Sequence, residues 1–266
     1  MKYCRFETDL GPQYFGPQYG EVVDRAGTLW IERLLPPPEE DPWTKFAGDV
    51  IEPLPLIKAK LLAPVVPRKI VCIGRNYRDH AAELGNEVPK EPLLFLKAPS
   101  SVIAPEEAIC IPAQSQRVDF EGELAILIGN RASRIGPDED VTRYIRGYTI
   151  VNDVTARDLQ KSDGQWSRAK GFDTFCPTGP LVTDEIDLVA GVTVETRLNG
   201  ELKQHGHTRD LIFPIDSLLR YITAAMTLHP GDLIPTGTPA GVAPMQPGDR
   251  VEVTIEGIGT LGNPVI

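Results

Sequence analysis

A chain of 266 residues is long enough to bury a full hydrophobic core, as one large domain or as a large and a small one. Its net charge of −10 argues against a nucleic-acid groove, which needs clustered Lys and Arg, but leaves room for a small anion in one locally cationic pocket. No run approaches the roughly 20 apolar residues that cross a bilayer. Met1–Leu10 lacks the apolar segment of a signal peptide, and Cys4, Cys72, Cys110 and Cys176 are too scattered for a disulfide framework or a zinc site. These features lead us to expect a soluble, cytoplasmic protein with no membrane or nucleic-acid partner.

In chain order, residues 1–64 read as a small N-terminal β unit. Glu21–Asp24 and Thr28–Ile31 flank Arg25-Ala-Gly27 as a hairpin, Pro36–Pro42 is a surface linker, and Leu54–Ile57 and Leu61–Pro64 are short edge strands. A soft boundary between Leu62 and Pro67 opens a second unit, residues 65–266. There Lys69–Ile73 is an apolar strand, and Asn76–Leu84 is a short polar helix capped by Gly85. Glu123–Ile128, Gly147–Val151, Val192–Leu198 and Val251–Glu256 are strands, and Asn199-Gly200 is a type I′ turn signal that returns the third of them as a hairpin. Helices are expected at Pro137–Tyr144 and Pro214–Thr227, the latter with Ile215, Leu218, Leu219 and Ile222 on one face. The fold class is therefore mostly β, with a handful of helices (α+β).

The most informative segment is Val118-Asp-Phe-Glu-Gly-Glu-Leu-Ala-Ile-Leu-Ile128. Alternate residues of a strand share a face, so Glu121 and Glu123 project side by side, roughly 7 Å apart along the chain. An isolated Glu-x-Glu is most often a solvated strand start. Here the residues that follow are too apolar for a surface strand, and a buried acidic pair needs a hard cation or a raised pKa. A third acid, Asp153, ends the apolar strand Tyr148–Asp153; a cap on a following turn is the alternative reading. Together the three supply oxygen ligands suited to Mg²⁺ or Mn²⁺, with coordination positions left for water or substrate.

Other motifs carry less. His205-Gly-His207 has metal-like spacing but sits at the end of a hairpin. Gly122, Gly129 and Gly136 match no nucleotide-binding spacing, and Ser100-Ser101 lacks the glycines of a nucleophile elbow. Cys176, before Pro177, reads as a packed thiol.

Six stretches in order resemble the fumarylacetoacetate hydrolase family: Gly74-Arg-Asn-Tyr-Arg-Asp-His-Ala-Ala-Glu83, Val118–Gly129, Asn152–Gln160, Ala169–Pro177, Ile234–Val242 and Pro247-Gly-Asp249. The likeness runs from about Lys69 to the C-terminus. It implies a mixed β-roll catalytic domain, usually in a homodimer. It also implies Glu121, Glu123 and Asp153 as ligands of Mg²⁺ or Mn²⁺, Lys170 beside the metal and substrate, and His80 with Glu83 as a proton-moving pair on a helical lid. Arg75, Arg157, Gln160 and Thr238 fall at substrate-side positions. His80 and Glu83 are three apart on the expected helix, so a hydrogen bond between them is in reach.

The chemistry implied is a metal-stabilised enolate of a small 2-oxo or enolisable dicarbonyl acid. The link between Gly237-Thr-Pro239 and Pro247 is short compared with many hydrolytic members of the family, and in this the chain resembles the isomerase and decarboxylase branch acting on 2-hydroxyhepta-2,4-diene-1,7-dioate in aromatic-compound catabolism. Acylpyruvate C–C hydrolysis and oxaloacetate decarboxylation are alternatives. So, in a different class, is a catalytically silent metal- or ligand-binding protein, which would be expected to have lost a metal acid or the lid pair.

Overall fold

Strand Gly122–Ile128 (GELAILI) is buried along its whole length, and the fold is built outward from it. In the computed structural model, which describes residues 1–7, 16–37, 48–83, 85 and 87–266, it pairs antiparallel with Ile145–Asn152 on one side and Leu233–Pro235 on the other. Its period-two pattern divides the core. Leu124, Ile126 and Ile128 enter one apolar cluster, whereas Ala125 and Leu127 enter another with Ile70, Cys72 and Val151. Among the described residues this sheet has twelve strands, running from Val50–Pro55 at one end to Leu93–Lys97 at the other. A four-stranded sheet (Thr193–Leu198, Glu201–His207, Arg250–Ile255, Gly259–Pro264) and a three-stranded one complete the mostly β architecture.

Both hairpins read from the sequence form. Ala26 and Gly27, and likewise Asn199 and Gly200, take the paired positive φ angles that a tight type I′ turn requires. The N-terminal strand Lys2–Glu7 pairs with Cys176–Thr183, so the large sheet runs unbroken across the boundary expected at residues 64/65. Leu181 contributes to the apolar cluster beneath the N-terminal strands. The linker expected at Pro36–Pro42 lies mostly outside the described residues, and Leu84, the last residue of the helix expected from Asn76, lies outside them.

Four α-helices occur among the described residues: α1 (Arg78–Glu83), α2 (Arg157–Asp163), α3 (Ser167–Gly171) and α4 (Ile215–Ala225). α4 buries the face marked by Ile215, Leu218, Leu219 and Ile222. The helix expected over Pro137–Tyr144 does not form; only a 3-10 turn, Val141–Tyr144, is present. A short acidic side chain competes for an amide there: Asp140 accepts from the Thr142 N–H, which closes a local turn instead of a helix. The strand Cys176–Thr183 contains Pro177 and Pro180 and reads poorly as an inner strand. A register shift where it meets Ile150 and Tyr148 accommodates them.

Candidate metal centre and active site

Sheet register assembles the acid cluster. Glu123 lies opposite Val151, and two residues on, Asp153 donates its backbone N–H to the Glu121 carbonyl at 2.8 Å. Glu121, Glu123 and Asp153 therefore share a face across one strand pair, and one oxygen from each lies within 4.8 Å of the others. All three are buried, at 3%, 2% and 0% exposure. Metal–oxygen bonds of about 2.0–2.6 Å reach about 5 Å across an ion, so this donor set is within reach of one divalent cation.

The electrostatics fit the same ion. Burial raises the Glu123 pKa well above its ordinary value, and repulsion from Asp153 and Glu121 adds to the rise. A cation between the carboxylates relieves that repulsion. Burial also opposes ionisation of Glu121, but Arg157 and Lys170 outweigh it and hold this carboxyl far below the usual range. The donors are all hard oxygens, which suits Mg²⁺ or Mn²⁺.

Cations frame the cluster. Lys170, on α3, donates to Glu121 Oε2 at 2.7 Å and to Asp153 Oδ2. Burial pulls its pKa down, yet Asp153 and Glu121 push it up to about 12, so it is a fixed ammonium. Lys97, at the end of the edge strand Leu93–Lys97, donates to Asp153 Oδ1 at 2.6 Å and to the Val154 carbonyl. Arg157 opens α2 and donates to Asp119 at 2.8 Å, to Gln160 Oε1 at 3.0 Å and to Glu121. Asp119 in turn accepts two hydrogen bonds from Arg117.

α1 follows shortly after the strand Ile70–Gly74 ends. Arg75 takes a left-handed backbone (φ 55°). The buried Asn76 side chain donates to the Phe213 and Thr236 carbonyls and accepts from the Phe213 N–H, which pins the root of α1. His80, on α1, is buried, and burial lowers its pKa despite an opposing pull from Glu121. The expected His80–Glu83 hydrogen bond is not made. His80 Nδ1 lies 3.5 Å from Glu83 and has no hydrogen-bond partner, while both Glu83 oxygens accept from the Gly241 N–H at 3.1 and 3.2 Å.

These groups meet in one cavity of about 330 Å³. Of the residues expected from the sequence, His80, Glu121, Glu123, Asp153, Lys170, Arg75, Arg157, Gln160 and Thr238 line it; Glu83 stands behind His80. Arg75 sits 5.8 Å from the Trp166 ring centre, and Trp166 meets Phe95 edge-on. Two expected substrate contacts have framework partners as well. Thr238 donates its hydroxyl to the Gly122 carbonyl at 2.9 Å, and three Arg157 nitrogens engage protein acceptors.

Sequence reading missed Lys97 and Asp119. Asp119 continues the alternation of Glu121 and Glu123, and Lys97 closes an apolar strand as Asp153 does, so both left a trace. His205 and His207 do not form a metal pair: His205 Nδ1 faces Glu195, and His207 Nδ1 accepts from the Arg209 N–H.

Three buried carboxylates set at one strand pair beside a short helix point to a family that comparison with known proteins identifies. The chain belongs to the fumarylacetoacetate hydrolase family, whose model, described as fumarylacetoacetate (FAA) hydrolase C-terminal, matches residues 69–266. It is 53% identical over 214 residues to Protein Rv2993c of Mycobacterium tuberculosis, covering 80% of each chain. It is 41% identical over 239 residues to oxaloacetate tautomerase YisK of Bacillus subtilis, covering 84% of this chain and 79% of that one. Among solved structures, the 2-hydroxyhepta-2,4-diene-1,7-dioate isomerase of Mycobacterium marinum superposes with a TM-score of 0.85 at 40% identity, over 100% of this chain and 98% of that chain. No helix among the described residues is long and apolar enough to cross a membrane.

Proposed function

We propose that this chain is a Mg²⁺- or Mn²⁺-dependent isomerase of small dicarboxylic 2-oxo acids. It moves a proton between the oxo oxygen and a carbon beside or conjugated with the oxo group, on a substrate of the oxaloacetate or 2-hydroxyhepta-2,4-diene-1,7-dioate type. The observation that carries this reading is the meeting of the acid triad, the ammonium of Lys170 and a buried histidine in one cavity. The names of the similar proteins support it, since an oxaloacetate tautomerase and a heptadienedioate isomerase both relocate a proton on such an acid.

Glu121, Glu123 and Asp153 hold the cation. When bound, it supplies a Lewis acid for the neighbouring oxo and carboxylate oxygens of the substrate. His80 acts as the base: it takes the proton from carbon and returns it to oxygen, so one C–H bond is exchanged for one O–H bond. Lys170, hydrogen-bonded to Glu121 and Asp153, holds a positive charge beside the enolate oxygen. Within the network four carboxylates (Asp119, Glu121, Glu123, Asp153) face four cations (Lys97, Arg117, Arg157, Lys170). A divalent ion then leaves the site with net positive charge, the complement of a dicarboxylate. Arg75, at the cavity wall, adds a donor for the distal carboxylate.

Oxaloacetate decarboxylation draws on the same electron sink and is the nearest competing outcome. Acylpyruvate hydrolysis needs a water activated by an assembled His80–Glu83 pair, and the 3.5 Å gap with Glu83 bound to Gly241 weighs against it. The homodimer expected of the family belongs to the same proposal and is checked by light scattering. The function itself is tested by following the ultraviolet absorbance of enol oxaloacetate with Mg²⁺ or Mn²⁺, beside a dienedioate and an acylpyruvate. We expect metal-dependent decay of the enol band without release of CO₂, abolished by Glu123→Ala. Release of CO₂ or cleavage of the acylpyruvate at a comparable rate would replace the isomerase reading, and turnover unaffected by Glu123→Ala would remove the metal assignment.

A further inference from the structure

Gly122 lies between the two glutamates of the triad, and its outward N–H and C=O have no strand to pair with. The neighbouring strand Leu233–Pro235 pairs no further than Ala125, and Thr236 closes on the Leu124 carbonyl at 3.0 Å. Beyond it the chain turns at Gly237, whose N–H goes to Glu123 Oε2 at 2.8 Å. Side chains complete the ladder instead. Gln204 Oε1 accepts from the Gly122 N–H at 3.0 Å, and the Thr238 hydroxyl donates to the Gly122 carbonyl at 2.9 Å. The ring closes because Gln204 Nε2 donates to Thr238 Oγ1 at 2.8 Å and to the Pro239 carbonyl at 2.7 Å.

Gln204 is fully buried, although the adjoining residues of strand Glu201–His207 are not. Each polar atom of its carboxamide has a partner, so the group reproduces the donor and acceptor of a peptide unit. Gly122 cannot gain a side chain to do the same, since a Cβ there would lie 2.2 Å from Thr196 Oγ1.

We infer that Gln204 is a positioning residue for the metal centre. Resting on the metal reading given above, the inference is that its carboxamide stands in for a missing strand and fixes the peptide between Glu121 and Glu123. It thereby sets the spacing of two ligands and ties it to the Thr238 loop. Groups that orient ligands in this way typically change metal affinity by about 10- to 100-fold when removed.

The test is Mn²⁺ affinity of the folded protein, measured by calorimetry, for the native chain, Gln204→Met and Gln204→Glu. Met keeps the length and loses every hydrogen bond; Glu keeps the acceptor and loses both donors. Both variants should bind Mn²⁺ about 10- to 100-fold more weakly, and saturating Mn²⁺ should recover most of kcat. A purely structural glutamine would lower the melting temperature and leave the Mn²⁺ constant of the folded protein unmoved, and that result would overturn the inference. Should the Gln204 variants not fold, Thr238→Val decides, because it removes the donor to Gly122 at nearly constant volume; weaker Mn²⁺ binding supports the inference and native affinity refutes it. A native chain that binds no Mn²⁺ would overturn the metal reading and this inference together, whereas native binding with unaltered variants overturns this inference alone.

Discussion

His80 shows how burial prepares a single side chain for a task. Its pKa falls below the ordinary 6.5 because burial disfavours the charged ring. The base form is complete above the lowered pKa and is lost only as the medium becomes more acidic than that value. Activity that depends on this base should therefore stay level from about pH 8 down through about 6.5 and fall only below it. A rate profile that already declines between about pH 8 and 7 would contradict the role. His80→Gln should reduce kcat by roughly 10²- to 10⁴-fold while Mn²⁺ affinity is kept, read from steady-state kinetics and calorimetry on one preparation. The acids were legible in the sequence because carboxylates alternating into an apolar strand are buried, and buried carboxylates call for a cation. The partners of Arg157 and Thr238 were not legible. An arginine beside a cavity faces both substrate and protein. Only the placement of Asp119, Glu121 and Gly122 in space shows how much of its capacity, and of the threonine's, the framework takes.

At the scale of elements, periodicity was readable and local competition was not. α4 follows its apolar stripe because nothing nearby opposes a helix. In the 137–144 segment the Asp140 side chain takes the Thr142 N–H, and only the 3-10 turn Val141–Tyr144 forms. Cys176–Thr183 was hidden by its prolines, whose tolerance depends on a register shift set by the partner strand. The same separation of packing from site yields a paired prediction. Leu219→Ala, on the buried face of α4, should cost about 2–5 kcal/mol of stability and leave Mn²⁺ affinity unchanged. Gly237→Ala should affect both. Its φ is 109°, and a Cβ there would lie 2.7 Å from the Asn76 Cβ, so the turn that presents an N–H to Glu123 must shift. Thermal melts and calorimetry on the two variants check this; equal effects on Mn²⁺ affinity would argue against a turn-specific role.

Across the whole molecule, one sheet joins the N-terminal strands to those that carry the site. We propose that residues 1–64 act as a cap on residues 65–266, but one whose removal is not neutral. Losing Lys2–Glu7 uncovers an edge of Cys176–Thr183 and the buried Leu181. A 65–266 chain should melt at lower temperature or aggregate, as seen by scanning calorimetry, and unchanged melting would show that the two parts are energetically independent. Metal acts in the other direction: a cation bound only by the folded chain stabilises it by about 2.7 kcal/mol at a hundredfold excess over Kd. Glu123→Ala should abolish that thermal shift.

The proposed chemistry depends on three carboxylates, brought together by one strand pair, holding a single ion. Anomalous diffraction from crystals soaked with Mn²⁺ tests this most directly. One anomalous peak is expected, within about 2.0–2.6 Å of an oxygen from each of Glu121, Glu123 and Asp153. Density at that position with no anomalous signal, or a Mn²⁺ peak ligated by other residues, would contradict it.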